Sequence, residues 1–114
     1  MKEQSILEVI VHAISEKKGE NILVYDMGQV SPFVSNAVIA SAGNLRQVHA
    51  IAHNVVDAIK EHGFTLSHVE GNAQSRWVLV DAKDVVVHVF LDEERDVYQL
   101  EKLYCDIPMI HYDL

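Results

Sequence analysis

The sequence predicts an α/β domain in which a mixed five-stranded sheet packs against helices. Segments with an apolar residue every three or four positions alternate with short runs rich in valine and isoleucine, in the order α-β-β-α-β-β-β-α. The chain has 114 residues, of which 49% are hydrophobic, so it can bury one core. It contains no internal repeat or linker, and we therefore expect residues 1–114 to form a single domain.

The first helix is predicted to begin at Ser5, because Ser5 and Glu8 have the spacing of a capping box. Gly19 is its predicted end. One face of this helix carries the apolar residues Ile6, Ile10, Ala13 and Ile14. Two strands are predicted to follow, at residues 21–26 and 37–41.

The second helix has the clearest pattern in the chain. Asn44 is its predicted N-cap, with Gln47 three residues further on, and Gly63 ends it. Its apolar positions follow the helical spacing i, i+3, i+4, i+7; they are Leu45, Val48, Ile51, Ala52, Val55, Val56 and Ile59.

The second half of the chain predicts three strands and a helix. Residues 66–70 form the weakest of the three strands. Only residues 82–84 separate the runs 77–81 and 85–91, so these runs should form an antiparallel hairpin. The acidic residues 92–94 are typical of a helix start. One face of that helix is predicted to carry Val97, Leu100, Leu103 and Tyr104.

The charge balance restricts the class of partner. The formal net charge is −8, and only nine Lys and Arg residues are present. Nucleic acids and anionic lipids require a dense basic patch, so the chain favours a basic protein as its partner. A second interpretation, in which the charge serves only solubility, stays open.

The sequence also predicts where the protein works. Cys105 is the single cysteine and has no internal partner for a disulfide, which suits a reducing compartment. No apolar run reaches the roughly 18 residues of a membrane span, and the start lacks the features of a signal peptide. We therefore expect a cytoplasmic protein.

Histidines are the first candidates for chemistry. His49 and His53 lie four residues apart on the second helix and could face one metal ion. However, Ala50 stands where zinc proteases carry glutamate, and local sequence places no third ligand. His88 shares a strand face with Phe90, which predicts a partly buried histidine with a hydrogen bond. We expect no metal site.

Three aspartates at predicted strand ends suggest an enzyme as an alternative. Asp26, Asp81 and Asp84 could hold Mg²⁺ against the phosphates of a nucleotide. No glycine-rich phosphate loop accompanies them, and hairpin turns use aspartate equally well. Neither Cys105 nor Ser41 has the neighbours of a nucleophile. We therefore expect no catalysis and no cofactor.

Large apolar groups among acids indicate an interface instead. Aromatic residues make up only 7% of the chain, and aromatic side chains dominate binding hot spots. The concentration consists of Glu70, Gly71, Trp77, Tyr98, Leu100, Leu103 and Tyr104. The alternative, in which Trp77 and Tyr104 simply belong to the core, is equally open at this point.

Three groups of segments carry a family resemblance. They are residues 38–41 (VIAS) with 46–48 (RQV) and 50–52 (AIA); residues 68–71 (HVEG) with 76–81 (RWVLVD); and residues 84–90 (DVVVHVF) with Arg95, Tyr98 and 100–104 (LEKLY). In order and spacing together, the chain resembles the ribosomal silencing factor family, also called Iojap-like, over about residues 5–104. The tail 105–114 lies outside the shared pattern.

The resemblance implies a fold like that of nucleotidyltransferases without their active site. It implies binding to the large ribosomal subunit through ribosomal protein L-fourteen, which blocks joining of the small subunit and represses translation when nutrients are scarce. It also implies a possible homodimer. From the charge balance, we expect no direct sequence-specific binding to nucleic acid. We place the partner-binding residues in the hairpin and last helix, as Glu70, Trp77, Asp96, Tyr98, Leu100, Glu101, Leu103 and Tyr104.

The chain departs from the family pattern at several positions. Residues 35–37 (SNA) replace the usual Asp-Tyr-Phe, which puts any function of that loop in doubt. Lys83 stands where glycine is common, and Tyr104 stands where tryptophan is often found. Two other functions stay open: a large-subunit assembly factor without a silencing role, and a metal-dependent nucleotidyltransferase-like enzyme.

Overall fold

The computed structural model describes residues 5–72 and 74–110. Helix α1 spans Ile6–Glu16 and α2 spans Leu45–Glu61. Both predicted N-caps are confirmed. The Ser5 hydroxyl accepts a hydrogen bond from the Glu8 backbone amide at 3.2 Å, and the side-chain oxygen Oδ1 of Asn44 accepts one from the Gln47 backbone amide at 2.9 Å. These caps satisfy amides that the first turn of a helix leaves free.

The sheet has six strands in the order β3-β4-β5-β2-β1-β6. Their bounds are β1 Glu20–Asp26, β2 Asn36–Ala42, β3 His68–Glu70, β4 Trp77–Asp81, β5 Val85–Leu91 and β6 Met109–Ile110. β2 and β5 are parallel and the other pairs are antiparallel, so the sheet is mixed as predicted. The predicted hairpin is confirmed, with Trp77 opposite Phe90.

The prediction of five strands was one too few. β6 pairs antiparallel with β1 through Val24–Ile110 and Tyr25–Met109. A strand of two residues is too short to produce an alternating pattern, so this strand depends on contacts that the local sequence does not indicate. The Asp26 amide also donates to the Pro108 carbonyl at 2.8 Å, which holds the tail along β1.

The two faces of the sheet are covered differently. α1 and α2 pack on one face and bury an aliphatic core that includes Ile10, Ile51, Val55 and Val87. The second face carries Tyr25, Ala37, Ile39 and Phe90, and side chains from the last helical segment and the tail cover part of it. This face remains open toward β4 and β3.

The single predicted last helix was wrong, because the chain forms two short helices there. α3 spans Asp92–Tyr98 and α4 spans Leu100–Leu103, with Gln99 between them in the left-handed conformation at φ 51°. The break separates the four residues expected on one face. Leu100 and Tyr104 pack on the second face of the sheet, whereas Val97 and Leu103 are 71% and 72% exposed.

The β4–β5 turn shows how one departure from the family pattern is accommodated. Lys83 adopts φ 67°, a conformation that glycine takes more readily than other residues. The Lys83 amide donates to the Asp81 carboxylate at 2.9 Å, which supports the turn.

None of the helices within residues 5–72 and 74–110 has the length and hydropathy needed to cross a membrane.

Candidate partner-binding surface

Four ring side chains meet at the open end of the second sheet face. Trp77, His88, Phe90 and Tyr98 form what we call the aromatic cluster. The Trp77 ring stacks on Phe90 with centroids 4.9 Å apart, and the Tyr98 ring lies 4.6 Å from Trp77. Pairs at these separations stabilise a cluster beyond simple area burial.

The cluster grades from core to surface. Phe90 is fully buried, Trp77 is half-buried, and Tyr98 is 51% exposed. Strand alternation places Trp77 and Leu79 on this face, while Val78 and Val80 enter the aliphatic core on the other side. The residues of the cluster therefore differ: Phe90 belongs to the core, whereas Trp77 and Tyr98 remain accessible to a partner.

A hydrogen bond fixes the indole of Trp77. Its Nε1 donates to His88 Nδ1 at 3.1 Å, which confirms the prediction of a partly buried, hydrogen-bonded histidine. Burial lowers the pKa of His88 to about 4, so the ring is neutral at pH 7. Because Nδ1 accepts, the proton of the neutral ring sits on Nε2.

A second polar group holds the α3–α4 break against the sheet. Arg95 is buried; its Nε donates to a Glu101 carboxylate oxygen at 2.5 Å and its Nη1 donates to the Ser41 hydroxyl at 3.0 Å. Burial by itself raises the pKa of Glu101, but the hydrogen bonds to its carboxylate and the Arg95 charge produce a net lowering. Glu101 therefore serves to anchor α4 through Arg95.

The remaining predicted partner-binding residues lie in different parts of the structure. Glu70 is exposed on the edge strand β3 and lines a hollow of about 300 Å³ with Gly71, Trp77 and Leu79. Asp96 and Leu103 are exposed on α3 and α4. Tyr104 packs edge-on against Tyr25 at 5.1 Å and belongs with Leu100 to the supporting layer.

Sequence reasoning missed the roles of Phe90, His88 and Arg95 in this surface. The signal for the first two was present, because strand alternation puts His88 and Phe90 on one face and the hairpin register places them beside Trp77. Arg95 had no comparable signal. Its partners Ser41 and Glu101 come from distant or kinked segments that local patterns do not bring together.

The alternative chemical sites gain no support from the geometry. Asp26 and Asp81 each accept a backbone amide in a turn, at 3.0 Å and 2.9 Å. His49 and His53 line one apolar groove of about 440 Å³ between α2 and the β3–β4 edge. Among residues 5–72 and 74–110, no three His, Cys, Asp or Glu side chains are grouped so that they could hold a metal ion.

The fold and this surface define a class of protein: a small α/β domain that exposes an aromatic cluster, with acidic residues around it. The sequence matches the family model described as "Ribosomal silencing factor during starvation" over residues 1–114. The chain belongs to the ribosomal silencing factor (RsfS) family.

Individual relatives agree with this membership. The chain is 41% identical to ribosomal silencing factor RsfS of Bacillus subtilis, with 99% of this chain and 96% of the relative covered. A crystal structure of a Bacillus halodurans protein matches with a TM-score of 0.84 at 37% identity, covering 94% of this chain and 97% of that one. A more distant mouse relative, named mitochondrial assembly of ribosomal large subunit protein 1, is 27% identical over 86% of this chain and 44% of its own length.

Proposed function

We propose that this protein binds the large ribosomal subunit through ribosomal protein L-fourteen and sterically blocks joining of the small subunit. The observation that carries the proposal is the family match over residues 1–114, together with an aromatic cluster left open on one sheet face. The protein would act in the cytoplasm and repress translation under nutrient limitation. It would do so without a catalytic step.

The accessible members of the surface supply the binding energy in this proposal. Trp77 and Tyr98 present apolar area together, and Leu103 is exposed on α4. Aromatic anchors dominate protein interfaces. Leu100 and Tyr104 hold them from below by packing on the sheet. A standard interface takes roughly 800 Å² from each partner, an area that a domain of this size can supply.

Charge supports the same partner class. Glu70 lies beside Trp77, Asp96 is exposed on α3, and the chain carries a net charge of −8. Ribosomal proteins are generally basic because they neutralise phosphates, so the two surfaces would attract each other before contact. Such complementarity raises the association rate and fixes orientation more than it adds affinity.

Inhibition in this mechanism follows occupancy. Two partners, this protein and the small subunit, compete for one face of the large subunit. We further propose that the free protein can form a homodimer, since the family resemblance implies one.

One relative favours a second candidate function, a large-subunit assembly factor without a silencing role. The name of the mouse relative refers to assembly of the ribosomal large subunit. This alternative predicts binding to precursor particles and no effect on joining of mature subunits.

Sedimentation of purified large and small subunits with and without the protein tests both candidates. We expect cosedimentation with the large subunit and loss of the joined particle. His53→Ala, an exposed change on the helix-covered side, is the matched control and should behave as wild type. Binding with no loss of joining would favour the assembly factor, and no binding would refute both candidates.

A further inference from the structure

His88 makes a hydrogen bond to Trp77 that packing of the binding surface alone would not require. It lies on β5 diagonally from Trp77 on β4, because Trp77 is paired with Phe90 and Leu79 with His88. The two rings are 5.7 Å apart and joined by the 3.1 Å hydrogen bond. A residue chosen only to pack beneath Trp77 would not need an acceptor directed at the indole N–H.

The neutral form of His88 allows this hydrogen bond near neutral pH. Nδ1 accepts a hydrogen bond only when it carries no proton itself, so the bond requires the neutral ring with its proton on Nε2. Burial keeps the ring neutral, with a pKa of about 4. Among the described residues, His88 Nδ1 is the one acceptor for the Trp77 indole N–H.

The stacking partners of Trp77 do not determine which edge of the indole ring faces outward, and the hydrogen bond to His88 does. Phe90 and Tyr98 hold the plane of the indole, but a stacked ring can still present either edge to its neighbours. An acceptor on one side distinguishes the two edges, because reversing the ring would leave the N–H without a partner in a partly buried place. The hydrogen bond thus selects one orientation.

We infer that His88 is a positioning residue, which orients the Trp77 indole on the open sheet face so that the binding surface is organised before the partner arrives. Its value for binding rests on the proposed function. A side chain already held in its bound orientation loses less conformational entropy on association, which strengthens binding without a new contact. His88 itself makes no contact with the partner in this view.

Two variants separate the hydrogen bond from the ring stacking. His88→Phe keeps a flat ring but removes the acceptor, whereas His88→Asn places an amide oxygen near the position of Nδ1. Trp77 is the one tryptophan in the chain, so ¹⁵N-labelled protein has a single indole N–H resonance that reports this site alone. We expect His88→Phe to shift that resonance and speed its exchange with water, and His88→Asn to keep both near wild type.

Binding is measured in the same variants by cosedimentation with the large subunit. We expect His88→Phe to weaken binding about fivefold and His88→Asn to recover most of it. In a Trp77→Phe background, His88→Phe should have no further effect, because the N–H that His88 orients is then absent. Thermal melting identifies any variant that fails to fold. If His88→Phe is such a variant, the indole resonance of His88→Asn is compared with that of wild type instead.

The two failures are distinguishable. An indole resonance that is the same in wild type and His88→Phe would overturn the positioning role, whatever the ribosome does. Equal losses from His88→Phe with and without Trp77 would also overturn it, because His88 would then touch the partner directly. If wild-type protein fails to bind the large subunit, the proposed function falls, and the resonance still decides whether His88 orients Trp77.

Discussion

Val38 and Ile39 are neighbours on β2, yet they enter two cores of different character. Val38 faces α1 and α2 in an aliphatic cluster of valines and isoleucines that these two helices cover. Ile39 faces the second side, where Phe90, Tyr25 and Trp77 gather and the cover ends before the sheet does. The first face is closed by long amphipathic helices, and the second is closed only as far as a kinked segment and a short tail extend.

This difference separates stability from recognition. A face covered by helices gains free energy of unfolding from every buried methyl group, and it offers a partner far less apolar surface. A face left partly open exposes apolar groups to water. Exposed apolar groups do not stabilise the monomer, and a patch of them is typical of an interaction site. Changes on the two faces should therefore affect different measurements.

The largest expected effect is on the closed face. Ile51 is fully buried on α2, so Ile51→Ala should lower the free energy of unfolding by about 2–5 kcal/mol through lost burial and a cavity. Denaturant unfolding measures this loss, with the exposed neighbour His53→Ala as control. The folded fraction should bind the large subunit as wild type does. Weaker binding by that fraction would mean that the two faces are coupled.

Acid should weaken the open face through His88. Its pKa is about 4 in the folded protein and about 6.5 in an unfolded chain, so between these values the unfolded state binds the proton and the folded state does not. The free energy of unfolding should fall as the pH drops through this window, by about 3 kcal/mol in total below pH 4. Wild type and His88→Phe are compared by denaturant unfolding from pH 7 to pH 4.

All other ionisable groups are the same in the two proteins, so the difference between the two curves isolates His88. Wild type should lose stability relative to His88→Phe steadily toward low pH, because only wild type has a buried histidine that must be protonated in the folded state. A difference that does not vary with pH would mean that His88 titrates alike in the folded and unfolded states.

Trp77→Ala should affect binding more than stability. Truncating a half-buried aromatic anchor typically costs about 2 kcal/mol or more of binding free energy, which is roughly 30-fold in affinity. The loss of stability should stay below the roughly 3–5 kcal/mol of a fully buried aromatic residue. Cosedimentation and thermal melting measure the two quantities. Unchanged affinity in a folded variant would remove Trp77 from the interface.

The exposed acids should give the smallest effect. Replacing Glu70 and Asp96 by Gln and Asn removes two exposed charges without removing apolar contact. We expect the association rate with the large subunit to fall a few-fold at low salt, and the difference to fade above about 0.1 M salt, where the screening length is about 10 Å. Stopped-flow mixing at several salt concentrations measures this rate. A loss independent of salt would indicate direct hydrogen bonds rather than steering.

Much of the architecture followed from local patterns. Both long helices, their caps and the β4–β5 hairpin were predicted correctly, since each depends on residues within a few positions of one another. The aromatic and acidic residues of the candidate surface were also recognisable, although the sequence left open whether they were buried. What failed was the last helix and the strand count.

The sequence by itself determined the class of fold, the two long helices, the hairpin and the family, because periodicity, capping and motif order are properties of short segments and their spacing. Only the tertiary structure decided where the last helix breaks, that Met109 and Ile110 form a sixth strand, and which edge of Trp77 faces outward. Each of these depends on a contact between parts distant in the chain or across the sheet. Gln99 takes its left-handed conformation where the kink lets Leu100 and Tyr104 cover the second face, and Trp77 is oriented by a histidine on the next strand.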